Sequence, residues 1–205
     1  FLGKPILEYS IEAALGADCF QEVMVSTDDE EIARIARHEG AQVPFMRSEN
    51  TANDYATTAD VILEVLESYE RIGKKFDQVC CIYPTAPFVT ANALKTAMML
   101  LEQEKSDCVI PVVKFSFPQR CVVINQGRLM PKWPENMKVR SQDLEPFYHD
   151  CGQFYCLDVR KFQEQKVIWM KDVVPFIQDE STVQDIDTLE DWKIAEMKYQ
   201  IMHQK

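Results

Sequence analysis

Asp77-Gln78-Val79-Cys80-Cys81-Ile82-Tyr83-Pro84-Thr85-Ala86-Pro87-Phe88 is the stretch on which the fold turns. Its apolar run is too short for a helix and too continuous for a half-exposed strand. It reads as a central parallel strand buried on both faces. Pro84 to Pro87 end it in a tight turn, and Thr90 opens a helix to about Lys105. Asp107 to Val113 then repeats the pattern of a buried strand.

Upstream, Pro5 to Leu15 reads as a helix, Glu22 to Thr27 as a strand, and Asp28 to Gly40 as a helix. Ala41 to Met46 is a strand that empties into polar Arg47 to Asp54, and Thr57 or Thr58 caps a helix to Ile72. The order α-β-α-β-α-β-α-β predicts a Rossmann-like, doubly wound, mostly parallel α/β sheet. Such sheets open on a strand followed by a ligand-binding loop. This chain starts Phe1-Leu2-Gly3-Lys4-Pro5, with neither Met nor strand ahead of its first helix, so the first strand and phosphate loop are expected to be missing.

Downstream, residues 114–150 break the rhythm with four prolines (118, 131, 134, 146) and a Gln126-Gly127 turn between two short apolar runs. A stretch of that length without a helix predicts a dimerisation or site-building excursion from a single domain spanning 1–205. Cys151 to Leu157 and Val173 to Ile177 are expected as strands, Asp158 to Gln165 as a short helix, and Thr188 to Met202 as the last helix.

The totals set outer bounds. The 205 residues, 46% hydrophobic and 27% charged, suit one soluble globular domain. A net charge of −11 argues against nucleic acid or an anionic membrane as partner, and no apolar run reaches membrane-spanning length. Seven cysteines without a C-x-x-C predict free thiols in a reducing cytoplasm rather than a zinc site or disulfide frame.

Three polar groups fall at the carboxyl ends of the strands, where open α/β sheets bind ligands. They are Arg47 to Asp54, Pro84 to Pro87, and Asp185 with Asp187. The i, i+2 spacing of the two aspartates puts both carboxylates on one face of an extended strand end, as hard oxygen ligands suited to Mg²⁺. Thr188 and Asp191 fit a Ser/Thr-x-x-Asp/Glu helix start, so an acidic turn capping a helix is the competing reading.

Ile82-Tyr83-Pro84-Thr85-Ala86-Pro87-Phe88 resembles the Q-P-T-S-P-L loop of the CMP-sialic acid synthetase (acylneuraminate cytidylyltransferase) family. Arg47 with Asn53-Asp54-x-Ala56, Arg140-Ser141-Gln142-Asp143, Asp150-Cys151-Gly152-Gln153-Phe154-Tyr155 and Asp185-Ile186-Asp187-Thr188 resemble further motifs of that family, in order. Phe1-Leu2-Gly3-Lys4-Pro5 resembles the family's L-x-G-K-P, which follows an R-x-G-S-K phosphate loop. The Asp150–Tyr155 variant and Phe115-Ser116-Phe117-Pro118-Gln119-Arg120 look most like the pseudaminic acid cytidylyltransferases.

The resemblance implies a nucleotide-diphospho-sugar transferase fold, usually a homodimer. It implies transfer of CMP from CTP to the anomeric hydroxyl of a nine-carbon keto-sugar acid, with pyrophosphate released, for cell-surface glycan biosynthesis. Asp185 and Asp187 would be the catalytic metal ligands for Mg²⁺. Arg47, Pro84, Thr85 and Ala86 would line the nucleotide, and Arg140, Gln142, Asp150, Gln153 and Tyr155 the sugar. Asp185-Ile186-Asp187-Thr188-Leu189 also resembles the D-x-D-x-T/V motif of haloacid-dehalogenase phosphatases, with Leu189 at the T/V position, but that motif opens its domain, whereas here one helix follows. A non-catalytic nucleotide-binding or dimerisation module is the rival should the phosphate loop be absent.

Overall fold

Capping side chains set the helix starts in this computed structural model, which describes residues 1–116 and 118–203. Phe117, part of the Phe115–Arg120 motif, lies outside the described residues, as do Gln204 and Lys205. Helix α1 spans Ile6–Gly16. Asp29 accepts from two amides at the start of α2, Glu30–His38. Thr57 and Asp60 form a reciprocal capping box on α3, Thr58–Arg71, which leaves Thr58 free for another task. Thr90 caps α4, Ala91–Glu104, and Asp158 caps α5, Val159–Gln165. Each such cap stabilises its helix by about 1 kcal/mol. The last helix, α6, covers Leu189–His203, and Thr188 and Asp191 exchange hydrogen bonds at its start, as the sequence predicted.

The strands are β1 Gln78–Ile82, β2 Cys108–Lys114, β3 Val122–Asn125, β4 Arg128–Pro131, β5 Tyr148–Asp150, β6 Phe154–Asp158 and β7 Val173–Gln178. The expectation of a mostly parallel sheet is corrected here. β6 runs antiparallel between β1 and β2, β5 pairs antiparallel with the far end of β2, and β7 alone adds to β2 in parallel. The excursion after β2 returns the chain at the carboxyl end of that strand without a helical crossover, so the next strand must run backwards. β1, β2 and β7 still share one direction, and the sheet still carries helices on both faces.

Those two faces follow the strand alternation. Val109, Phe154 and Cys156 pack beneath α1 and α4, against Ala14, Leu94 and Leu101. Ile110, Val112, Tyr155 and Leu157 turn the other way, onto Ile62 and Leu66 of α3 and Phe162 of α5. Fully buried side chains such as Leu94, Leu101 and Phe162 each contribute about 1.5–3 kcal/mol of burial.

Two further expectations change. Residues 22–27 and 41–46 meet in parallel at a single Met24–Gln42 bridge, with Val25 N–H donating to the Gln42 carbonyl at 2.9 Å, and form no longer ladder. β1, expected to be buried throughout, is half-buried at all five positions. Among the described residues it pairs with β6 alone, and it lines a groove of about 670 Å³ together with Glu22–Ser26. Gln126 and Gly127, at φ 49° and 74°, turn the β3–β4 hairpin, and both of its strands stand exposed along their length. Among the described residues no helix is long and apolar enough to cross a membrane.

Candidate active site

The groove beside β1 opens at its carboxyl end among polar residues from three connections. Ser26, Arg47, Asn53, Thr58, Tyr83 and Pro84 all line it. Arg47 is held in place from Ser26. Its Nε donates to Ser26 Oγ at 3.1 Å, its Nη2 to the Ser26 carbonyl, and its own amide to the Thr27 carbonyl at 2.8 Å. A guanidinium carries five N–H donors, so this anchoring leaves others for an anion.

Asn53 knots the loop below Arg47. Its Oδ1 accepts from the amides of Tyr55 and Ala56, and its Nδ2 donates to the carbonyls of Glu49 and Asn50. On the other side, Ser10 Oγ donates to the Tyr83 carbonyl at 2.9 Å, and Thr58 Oγ1 lies 2.7 Å from the Tyr83 hydroxyl. The end of β1 is therefore tied to α1 and to α3. Pro84 and Thr85 stand exposed just beyond it, while Ala86 is buried against the α1–α4 layer. Ser26, Thr58 and Tyr83 were not named as site residues from the sequence, which offered Thr58 only as a cap and Tyr83 only within the Ile82–Phe88 motif. The doubled Thr57-Thr58 was the available signal, since one threonine suffices for the cap.

The acidic part lies on a second patch. Asp185 and Asp187 are not at a strand end. β7 stops at Gln178, a 3₁₀ turn occupies Glu180–Thr182, and the aspartates sit between that turn and α6. Both are exposed. Partial burial, and then the charge of Asp187, push the Asp185 carboxyl above its usual range, with smaller contributions from Asp191 and Asp150. Asp191 is occupied with Thr188, accepting from its amide at 2.9 Å and its hydroxyl at 2.7 Å. Asp150 accepts from Gly152 N–H at 2.8 Å and from the Tyr155 hydroxyl at 2.7 Å. Burial, then Asp150, push the Tyr155 phenol far up, so it is a hydroxyl donor at any ordinary pH.

Gly152 brings the two halves of this patch together. Its φ of +62° favours glycine, and a Cβ there would meet Asp185 Oδ1 at 3.5 Å. Among the described residues no three His, Cys, Asp or Glu side chains group closely enough to hold an ion alone. Asp185, whose charge Asp187 disfavours, together with Asp187 fits a hard divalent cation whose remaining positions would be filled by water and phosphate.

The remaining expected sugar-side residues are distributed differently. Gln153 is buried, 1% exposed, and its amide is engaged within the chain. Arg140 and Gln142 lie exposed on the excursion, where the Arg140 fork closes on Asp143 at 2.7 and 3.1 Å. The structure thus brings Arg47 together with Pro84, and Asp150 and Tyr155 together with Asp185. It brings Arg140 to neither group.

Residues 1–144 match the family model described as "Cytidylyltransferase". A pseudaminic acid cytidylyltransferase of Campylobacter jejuni is 36% identical over 206 residues, covering all of this chain and 89% of that protein. A CMP-N,N'-diacetyllegionaminic acid synthase of Legionella pneumophila is 30% identical, covering 95% of this chain and 84% of its own length. Among solved structures, a CMP:2-keto-3-deoxy-manno-octonic acid synthetase complexed with CTP superposes with a TM-score of 0.67 at 16% identity. The superposition covers 98% of this chain and 89% of that one, and it supports an α/β nucleotidyltransferase fold.

Proposed function

The chain belongs to the cytidylyltransferase family, and we propose that it transfers CMP from CTP to the anomeric hydroxyl of a nonulosonic acid, pseudaminic acid, with release of pyrophosphate. The observation that carries this reading is the 36% identity to a pseudaminic acid cytidylyltransferase over the whole chain, so that both the Arg47 side and the acidic pair fall within it. The product is an activated sugar for cell-surface glycans, made by a cytoplasmic homodimer.

In this reading Arg47, fixed by Ser26, meets a phosphate of CTP, and the exposed Pro84 and Thr85 line the nucleotide while Ala86, buried against the α1–α4 layer, supports the loop from behind. Asp185 and Asp187 would hold Mg²⁺, which when bound would supply charge stabilisation to the phosphates and lower the cost of losing the sugar hydroxyl proton. Asp150, fastened by Tyr155 and Gly152, faces the acceptor sugar from the same patch. Its oxygens accept only, so they suit a sugar that presents N–H donors, as a diacylamino sugar does. Arg140 and Gln142 reach the sugar site of the partner subunit, with the Arg140 fork exchanging Asp143 for the sugar carboxylate.

The test offers the intact enzyme CTP, Mg²⁺ and one sugar at a time, and the CMP-sugar product is quantified. Pseudaminic acid should exceed sialic acid by at least about tenfold in kcat/KM, the scale of one mismatched polar contact. Asp185→Asn and Asp187→Asn should each lower turnover by orders of magnitude with the fold retained. Preference for N,N'-diacetyllegionaminic acid would move the substrate to the second relative's sugar, and equal use of all three would remove the assignment of Asp150. Near-normal turnover in both aspartate variants would remove the metal site. No product with any sugar would favour a nucleotide-binding module.

A further inference from the structure

Among the described residues the segment that carries Asp185 has no strand partner, so something else must hold it in register with the nucleotide side. Two side chains do so. Gln153 lies 1% exposed beneath the site and touches three connections. Its Nε2 donates to the Thr182 carbonyl at 3.0 Å, its Oε1 accepts from Gln178 Nε2 at 2.6 Å, and its backbone carbonyl accepts from Tyr83 N–H at 2.8 Å. Tyr83 is the residue before Pro84-Thr85-Ala86, Gln178 ends β7, and Thr182 stands three residues before Asp185. One buried residue therefore links the nucleotide loop through its backbone, and the end of the sheet and the approach to the acidic pair through its side-chain amide.

The second is Lys198, reaching back from α6. Its Nζ donates to the Glu180 carbonyl at 2.6 Å and to the Val183 carbonyl. Burial lowers its pKa, and the Glu180 carbonyl it meets is shared with Val183 N–H, which donates to it at 3.4 Å within the 3₁₀ turn. Val183 itself is buried against Val113 and Cys151, next to Gly152. The backbone of 180–183 is thus gripped from below by Gln153 and from the side by Lys198, two residues ahead of Asp185.

We propose that Gln153 and Lys198 are positioning residues for the metal-binding pair: they act on the cation through the 180–183 backbone and contact neither sugar nor nucleotide. The inference rests on the proposed role of Asp185 and Asp187. Supporting groups behind metal ligands typically change metal affinity by about 10–100-fold when lost. Gln153→Leu removes both side-chain bonds at nearly constant volume, and Lys198→Met removes the ammonium while keeping most of the stem. Lys198→Arg can restore the donors.

Mn²⁺ alone is titrated into each full-length variant and its binding is read by electron paramagnetic resonance, with thermal unfolding as the folding control and steady-state kinetics alongside. Gln153→Leu and Lys198→Met should each weaken Mn²⁺ about tenfold or more and raise the Mg²⁺ concentration needed for turnover, with the KM for the sugar little changed. Lys198→Arg should recover most of the Mn²⁺ affinity. Should Gln153→Leu misfold, Lys198→Met and its arginine rescue decide alone. Unchanged Mn²⁺ binding in Lys198→Met, or a raised sugar KM with normal Mn²⁺ affinity in Gln153→Leu, overturns the inference. Asp187→Asn separates the two levels: if it binds Mn²⁺ like the unaltered protein, or if the unaltered protein binds none, the metal reading fails as well.

Discussion

Asp150 shows how much one side chain can be asked to do. Each of its oxygens already accepts one hydrogen bond within the chain, from Gly152 N–H and from the Tyr155 hydroxyl. A carboxylate offers about four acceptor sites, so it can support the turn and still receive a donor from a sugar. Asp150→Asn keeps an acceptor for the Gly152 amide but turns one oxygen into an NH₂ donor facing the Tyr155 hydroxyl or the sugar. The preference for pseudaminic over sialic acid should then shrink by about tenfold in the ratio of kcat/KM values. A lower rate with an unchanged ratio would mean that Asp150 serves the turn alone. The sequence pointed to Asp150, Tyr155 and Asp185 by motif. It could not say that Gln153, two residues before Tyr155, is directed inward, because successive strand residues alternate sides and the turn at Gly152 sets which side comes first.

At the scale of the element, α5 is fastened to the start of β2 by one charged cluster. Lys161 Nζ lies 2.8 Å from Asp107 Oδ1 and also donates to the Lys105 carbonyl, while Gln165 Nε2 donates to Asp107 Oδ2 at 2.8 Å. The hydrogen bond from Lys161 holds the Asp107 carboxyl below its usual range, and Asp107 holds the Lys161 ammonium above its own. A depressed carboxylate stabilises the fold above its unfolded pKa, and that contribution is lost as pH falls through the depressed value. The raised lysine contributes below its unfolded pKa and is lost as pH rises through the raised value. Asp107→Asn should lower Tm by about 2–4 °C at neutral pH, the shift of roughly 1 kcal/mol in a chain of this size. Its Tm should then fall less steeply on acidification than that of the unaltered protein. Thermal unfolding of both from pH 7 into the acid range checks this, and parallel curves would show that the cluster is electrostatically silent.

At the scale of the whole molecule the β3–β4 hairpin stands apart as a two-stranded sheet of its own. Ile124 is 77% exposed and Leu129 69%, directly cross-strand from each other. Monomeric proteins rarely present such a ribbon to water, and Phe147 and Tyr148 on the same excursion are exposed as well. In the proposed homodimer this arm seats on the partner and brings Arg140 to the partner's sugar site. Ile124→Lys with Leu129→Lys should give a folded monomer by light scattering, with turnover falling steeply because Arg140 no longer arrives. A fully active monomer would end that assignment.

Read from the sequence alone, the helices, their caps and the buried β2 and β6 were legible, because periodicity, capping and turn chemistry act within a few residues. The tertiary structure alone decided that β6 runs antiparallel between β1 and β2. It also left β1 half-buried beside a groove and placed Asp185 and Asp187 beyond the sheet, on a segment held by Gln153 and Lys198. Strands buried on both faces read alike whichever way they run. Their direction and neighbours are set by hydrogen bonds between segments far apart in the chain, and no local pattern encodes them.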